Sequence, residues 1–206
     1  MFKRRNARPW SVWIADQIYP RGGFMRAGRY LWHRMRRLPD PPHRIARGVF
    51  AGTLANFPPI FGGQMLVAAG LAYILRGNIL AALLATLLSN PLTTPLIALV
   101  SLKLGHRMLG TTETFDLTRI FAAFSGAGAD LWHNTRAAFG PEQASWGGLI
   151  RFWHDIYWPY LLGSILPGLV VSLVLYWLTV PTLTAYQALR RRRLLAIAQK
   201  RRADKA

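Results

Sequence analysis

The sequence predicts an all-α, polytopic membrane protein, and three observations predict it. Of 206 residues, 52% are hydrophobic and eight are tryptophan. Two apolar stretches, 49–75 and 78–104, are each cut near the middle by a proline and asparagine cluster, Asn56-Phe57-Pro58-Pro59 and Asn90-Pro91-Leu92-Thr93-Thr94-Pro95. Basic residues crowd both ends: of 26 Lys and Arg, 12 precede Val49 and eight follow Ala185. A bilayer interior has no water to satisfy freed backbone groups, so a helix broken there must be buried in protein or line a polar cavity.

The chain divides into a basic amphipathic region (1–42), a membrane domain (43–185) and a basic tail (186–206). In the first region, Trp10, Trp13, Ile14 and Ile18 share one helical face before the Pro20-Arg21-Gly22-Gly23 break. Phe24, Ala27, Leu31, Met35 and Leu38 form a second stripe, with Arg26, Arg29, Arg36 and Arg37 mostly away from it. Such helices lie in the headgroup region or dock on the protein's own membrane domain. Leu38-Pro39-Asp40-Pro41-Pro42 then makes a rigid hinge, because proline bars helix and extends the residue before it.

The membrane domain opens with four half-length segments in two broken elements, 43–76 and 78–105. Residues 43–57 as a helix measure roughly 22 Å, short of a hydrocarbon core about 30 Å thick. Each broken element reads either as one kinked helix or as a re-entrant hairpin. Residues 160–184 form an uninterrupted span, opened by Trp158, Pro159 and Tyr160. With both basic ends cytoplasmic the number of crossings must be even, so one re-entrant hairpin is the favoured repair. Residues 106–157 are too polar to cross and read as a surface loop. Within it Leu117, Ile120, Phe121 and Phe124 keep helical spacing behind Asp116, a plausible N-cap.

Composition also narrows function. The net charge of +18 sits in runs flanking apolar segments, the pattern of cytoplasmic span ends and anionic-lipid attraction, with no nucleic-acid-binding module. Cysteine is absent, which removes disulfides and thiolate chemistry. Met1-Phe2-Lys3-Arg4-Arg5 begins like a signal peptide, but no apolar core follows, so the N-terminus is expected to stay attached and cytoplasmic. The five histidines show no paired metal-ligand spacing, and neither broken stretch holds an acid. His154 and Asp155 are adjacent, yet helix neighbours do not face one another. Ser125-Gly126-Ala127-Gly128 lacks the lysine of a phosphate loop. No catalytic residue, cofactor or metal is expected, and a proton-coupled pump would need an intramembrane relay.

Pro42-His43-Arg44-Ile45-Ala46-Arg47-Gly48, Phe50-Ala51-Gly52, Pro59-Ile60-Phe61-Gly62, Asn78, Asn90-Pro91-Leu92-Thr93-Thr94-Pro95 and Gly105 together resemble the bacterial integral membrane family called domain of unknown function 2062. The resemblance covers about residues 30–185, and Tyr19-Pro20-Arg21-Gly22-Gly23 is similar to alphaproteobacterial members. It implies a multi-span inner-membrane protein without assigned activity. Some relatives are fused to glycosyltransferase domains, which implies envelope glycosylation enzymes as partners by analogy alone.

Asn56 and Asn90 hold corresponding places in the two broken elements, the layout of a midplane binding site in repeat-built transporters. If the breaks meet, Asn56, Gln64, Asn90, Thr93 and Thr94 offer amides and hydroxyls beside helix N-termini. Gly62 and Gly63 permit close backbone approach. The alternative is that these groups cap helix ends and bond each other. Arg47 begins the first broken element, where a basic chain snorkels or binds lipid phosphate; Arg44, Arg76 and Lys103 also lie near segment ends. The candidate binding set is Arg47, Asn56, Gly62, Gly63, Gln64, Asn78, Asn90, Pro91, Thr93 and Thr94. The expected function is non-enzymatic translocation or binding of an anionic envelope lipid or small solute, with anionic lipids and a second copy of the chain as possible partners. A membrane scaffold for envelope-biogenesis enzymes is the alternative, and a lipid-modifying enzyme, with Asp130, His154 or Asp155 brought over Asn90, comes third.

Overall fold

The computed structural model describes residues 23–60, 62–87, 93–111, 116–140 and 143–203, and every regular element among them is a helix. The amphipathic stripe expected over 10–19 lies outside the described residues, as do Asn90 and Pro91. Helix α1 (Gly23–Met35) docks on the protein itself: Leu31 is buried, and Trp32, Met35 and Leu38 pack on Ile45, Val49, Ala81, Ala85 and Leu183.

Helix α2 (Pro42–Leu54) starts after Pro41 with Pro42 in its first turn, where a missing N–H costs no helical bond. It ends at Asn56-Phe57-Pro58-Pro59, and α3 (Gln64–Ile74) returns to the level at which α2 began. Two contacts fix that return: Asn78 N–H donates to Arg44 O at 2.9 Å, and a Cβ placed on Gly77 would lie 2.8 Å from Gly48 N. Helix α4 (Ile79–Thr86) then runs beside α2 in the same direction. Gly48 faces Asn78 and Ala81, Gly52 faces Ala82 and Ala85, and Asn56 Nδ2 donates to Ala85 O at 3.2 Å. The first break and the end of α4 therefore lie at one depth.

Asn78 pins this junction through three groups. Its Oδ1 caps α4 by accepting from Ala81 N–H at 2.6 Å, its Nδ2 donates to the Asp40 carboxylate, and its own N–H holds α2. Asn78→Ala removes the cap and the Asp40 bond together, and loss of an N-cap alone costs about 1–2 kcal/mol. A lower melting temperature for the detergent-solubilised variant, with α-helical circular dichroism unchanged, is the expected outcome.

The second half comprises α5 (Thr93–Met108), α6 (Leu117–Ala137), α7 (Gly147–Phe152), a π-helical turn (Trp153–Tyr157) and α8 (Trp158–Ala203). Asp116 caps α6 by accepting from Arg119 N–H at 2.7 Å, as the sequence predicts. The 106–157 stretch, read as a surface loop with a helical stripe behind Asp116, carries α6, α7 and the π turn, and α8 continues through the basic tail to Ala203. The cause in the tail is composition: its alanine, leucine, arginine and lysine favour helix and contain no breaker.

Helix α8, 46 residues and roughly 69 Å long, is the mast on which both halves are mounted. His106 Nε2 bonds Asp155 O at 3.0 Å, Gly105 meets Pro159, and Gly163 meets Ser101 and Gly105, so α5 runs antiparallel along the start of α8. Farther along, Gly168 meets Phe57 and Leu54, Leu183 packs with Ile45 and Val49, and Gln187 Nε2 donates to Asp40 O at 3.2 Å. Helices α5 and α2 are thus stacked end to end along α8, with the Phe57 break between them at Gly168. Counted through α7 and the π turn, Gly147–Gln199 is long and apolar enough to cross a membrane.

Candidate functional site

Where α3 returns to the start of α2, three arginines line one cleft. Arg44 and Arg47 come from the first turns of α2, and Arg76 from the turn that closes α3; with Tyr73, Gly77, Asn78, Ile79 and Leu80 they line an open cleft of about 640 Å³. The turn itself is unusual. Gly77 N–H bonds Ala72 O at 2.7 Å and Arg76 N–H bonds Tyr73 O at 3.0 Å, which is the Schellman closure of a helix. Its left-handed position, normally glycine, is filled by Arg76 at φ 52°, a conformation costing an L-residue roughly 1–2 kcal/mol. Strain kept at a cleft points to a role for the side chain.

The electrostatics are lopsided. Between Asp16 and Glu113 the sequence contains one acid, Asp40. Its carboxylate is engaged by Arg44 Nη1 at 2.9 Å and by Asn78. No other carboxylate exists on α1 to α4 to neutralise Arg47 or Arg76, and Arg47 Nε is buried without a hydrogen-bond partner. A buried guanidinium N–H is costly to leave unpaired, and a planar donor fork suits a phosphate or carboxylate. Ile79 and Leu80, both exposed, form an apolar lip beside the charges.

Of the candidate set, Arg47 and Asn78 come together here. Both ends of the Asn78 amide are bonded within the protein. Gly62, Gly63 and Gln64 stand at the opposite end of the α2–α3 hairpin, with Gly62 at φ 82°. Thr93 and Thr94 open α5, which leads away along α8. Asn56 donates to Ala85 O, while its Oδ1 is buried without a partner.

Three features escaped the sequence reading as site elements. Arg44 and Arg76 were visible only as residues near segment ends, and the left-handed turn at Arg76 leaves no local signature. Gly48-x-x-x-Gly52 was a readable signal, since small residues four apart allow close helix approach in membranes.

Asp130 and Asp155 share a second cleft, about 310 Å³, with Arg119 and Arg151 between α6 and the π turn. It lies beside the C-terminal end of α5, roughly 20 Å along that helix from Thr93 and Thr94.

Among the described residues these features define an all-helical protein with one helix long and apolar enough to cross a membrane and a basic cleft beside its far half. The chain belongs to the family described as an uncharacterized protein conserved in bacteria (DUF2062), whose model matches residues 25–192 and so takes in the whole cleft. No curated protein and no solved structure matches the chain.

Proposed function

We propose that this is a multi-pass inner-membrane protein that binds the phosphate of an anionic envelope lipid between Arg44, Arg47 and Arg76, without catalysing a reaction on it. The single observation that carries the reading is Arg76, held in a strained left-handed turn where its guanidinium joins two others in a cleft without a free carboxylate. On this reading the α2–α3 hairpin enters and returns to one side, α4 and α5 together cross once, and α8 crosses back. Two crossings leave both basic ends cytoplasmic, and the cleft sits at that interface with Ile79 and Leu80 toward the acyl chains. A passive translocator would use the same cleft as its entry site and the break at Asn56 as its path.

Arg76→Gly tests this directly, because fold and function should respond in opposite directions. Glycine relieves the left-handed strain, so the melting temperature rises by roughly 2–4 °C for about 1 kcal/mol. Binding of phosphatidylglycerol, titrated into purified protein in nanodiscs of zwitterionic lipid, weakens by about fivefold for the loss of about 1 kcal/mol per arginine. Unchanged lipid binding in Arg76→Gly, with Arg47→Ala equally silent, sinks the reading in favour of a scaffold.

A further inference from the structure

A second basic cleft, about 470 Å³, is lined by Tyr30, His33, Arg34, Arg37, Leu38 and Leu80. Leu80 also lines the Arg44–Arg47–Arg76 cleft, so one side chain forms the wall between the two. They are held in register from both sides. Helix α1 is docked through Leu31, Trp32 and Met35 on the α2–α4–α8 core, and Arg36 lies over the Tyr186 ring of α8 at 5.0 Å. The hinge between the clefts is fixed as well, since Asp40 joins Arg44, Asn78 and Gln187 two residues beyond Leu38. Arg34 and Arg37 are exposed, and the one acid of this region is the Asp40 already paired next door. Loss of hydration and the guanidiniums of Arg36, Arg37 and Arg29 hold the His33 imidazole below its usual range. Its ring is therefore neutral at pH 7, and the positive charge of this cleft comes from the arginines.

We infer that the two clefts form one bipartite site for a lipid carrying two phosphate groups, one seated on Arg34 and Arg37 and the other on Arg47 and Arg76, straddling Leu80. This rests on the phosphate-binding reading of the first cleft and adds the ligand class. One phosphate leaves two guanidiniums across the Leu80 wall without a counter-ion. Two phosphates satisfy both sets, and the apolar wall between them takes the linker or the first carbons of the chains. The two groups are bridged by glycerol, as in cardiolipin, because the single shared oxygen of a diphosphate is too short to straddle a leucine side chain.

The test uses the full chain in nanodiscs of zwitterionic lipid, titrated with tetraoleoyl cardiolipin and with phosphatidylglycerol. Cardiolipin should bind about tenfold tighter than phosphatidylglycerol, the effect of one further charge-assisted contact. In Arg34→Gln/Arg37→Gln the preference disappears while the melting temperature stays unchanged, since both side chains are exposed. A preference that survives this double substitution, or its absence in the unmodified protein, overturns the bipartite site. Loss of phosphatidylglycerol binding in Arg47→Ala with no two-phosphate preference leaves the single-cleft reading standing alone, so the two failures are distinguishable.

Discussion

Gly52→Leu should abolish the native packing of the first broken element, whereas Gly70→Leu, one helix away, should leave the protein intact. A Cβ on Gly52 would overlap Ala82 O and lie 2.8 Å from Ala85 Cβ and 2.9 Å from Ala82 C. Two of those atoms are backbone, so no rotamer change relieves the clash and α2 must move off α4. Gly70 is also an apolar-helix glycine, but a Cβ there meets nothing within 4 Å. Overpacking of a tight interface costs about 1–3 kcal/mol or more, and a chain of this size loses roughly 2–4 °C per kcal/mol. Gly52→Leu is therefore expected to melt roughly 2–12 °C lower or to leave size-exclusion chromatography as aggregate. Gly70→Leu should elute as the unmodified protein with stability within about 0.5 kcal/mol. Equal behaviour of the two variants would mean that α2 and α4 do not pack as described.

Under the proposed multi-pass arrangement the contrast matters, because helices in a bilayer gain no hydrophobic advantage from meeting each other, lipid tails being as apolar as leucine. Close approach through small residues must do the joining, and this chain repeats the device. Gly48 and Gly52 seat α2 on Ala81, Ala82 and Ala85, while Gly105 and Gly163 seat α5 on α8 against Pro159 and Ser101. The first seam sets Arg44 and Arg47 beside Asn78, and the Gly77 backbone, packed on Gly48, brings Arg76 to them. Packing in the apolar layer is thus what assembles the charged cleft above it.

How far the sequence told this in advance depends on the range of each signal. The interruptions at Asn56 and Pro58 were legible because proline and asparagine act on their own backbone, and Asp116 was legible because an N-cap acts within three residues. The α1 stripe was legible as amphipathic, but whether Leu31 and Met35 meet lipid or protein depends on Ile45, Val49 and Leu183, far along the chain. The arginine cleft was beyond local reading. Arg47 and Arg76 are separated by a hairpin whose closure rests on Gly77 and on the Asn78 bond to Arg44 O. The glycine pair at 48 and 52 was in plain view, yet its partner strip appears only once α4 is known to run parallel to α2. The pocket expected around Asn56, Gln64, Asn90, Thr93 and Thr94 likewise depends on how segments far apart in sequence meet, and Asn90 lies outside the described residues.

The same arrangement makes an all-or-none prediction about sidedness. Helix α5 leads from the break to the His106–Asp155 contact, and α8 returns past Gly168 to Gln187 and the basic stretch Arg190–Arg193. The end of α6 and the end of α8 should therefore face opposite compartments. The absence of native cysteine allows single reporters at two exposed sites, Phe139→Cys (91% exposed) and Leu195→Cys (55% exposed). In intact spheroplasts a membrane-impermeant maleimide should label the cysteine at 139 fully and leave that at 195 untouched until the membrane is opened. This outcome also fixes the side of the arginine cleft, because Gln187 binds Asp40 and Asp40 binds Arg44. The cleft must then share the compartment of residue 195, where anionic headgroups of the cytoplasmic leaflet meet basic residues. Labelling of both sites from outside would remove the cleft from the cytoplasmic leaflet and overturn the lipid-binding reading along with the topology.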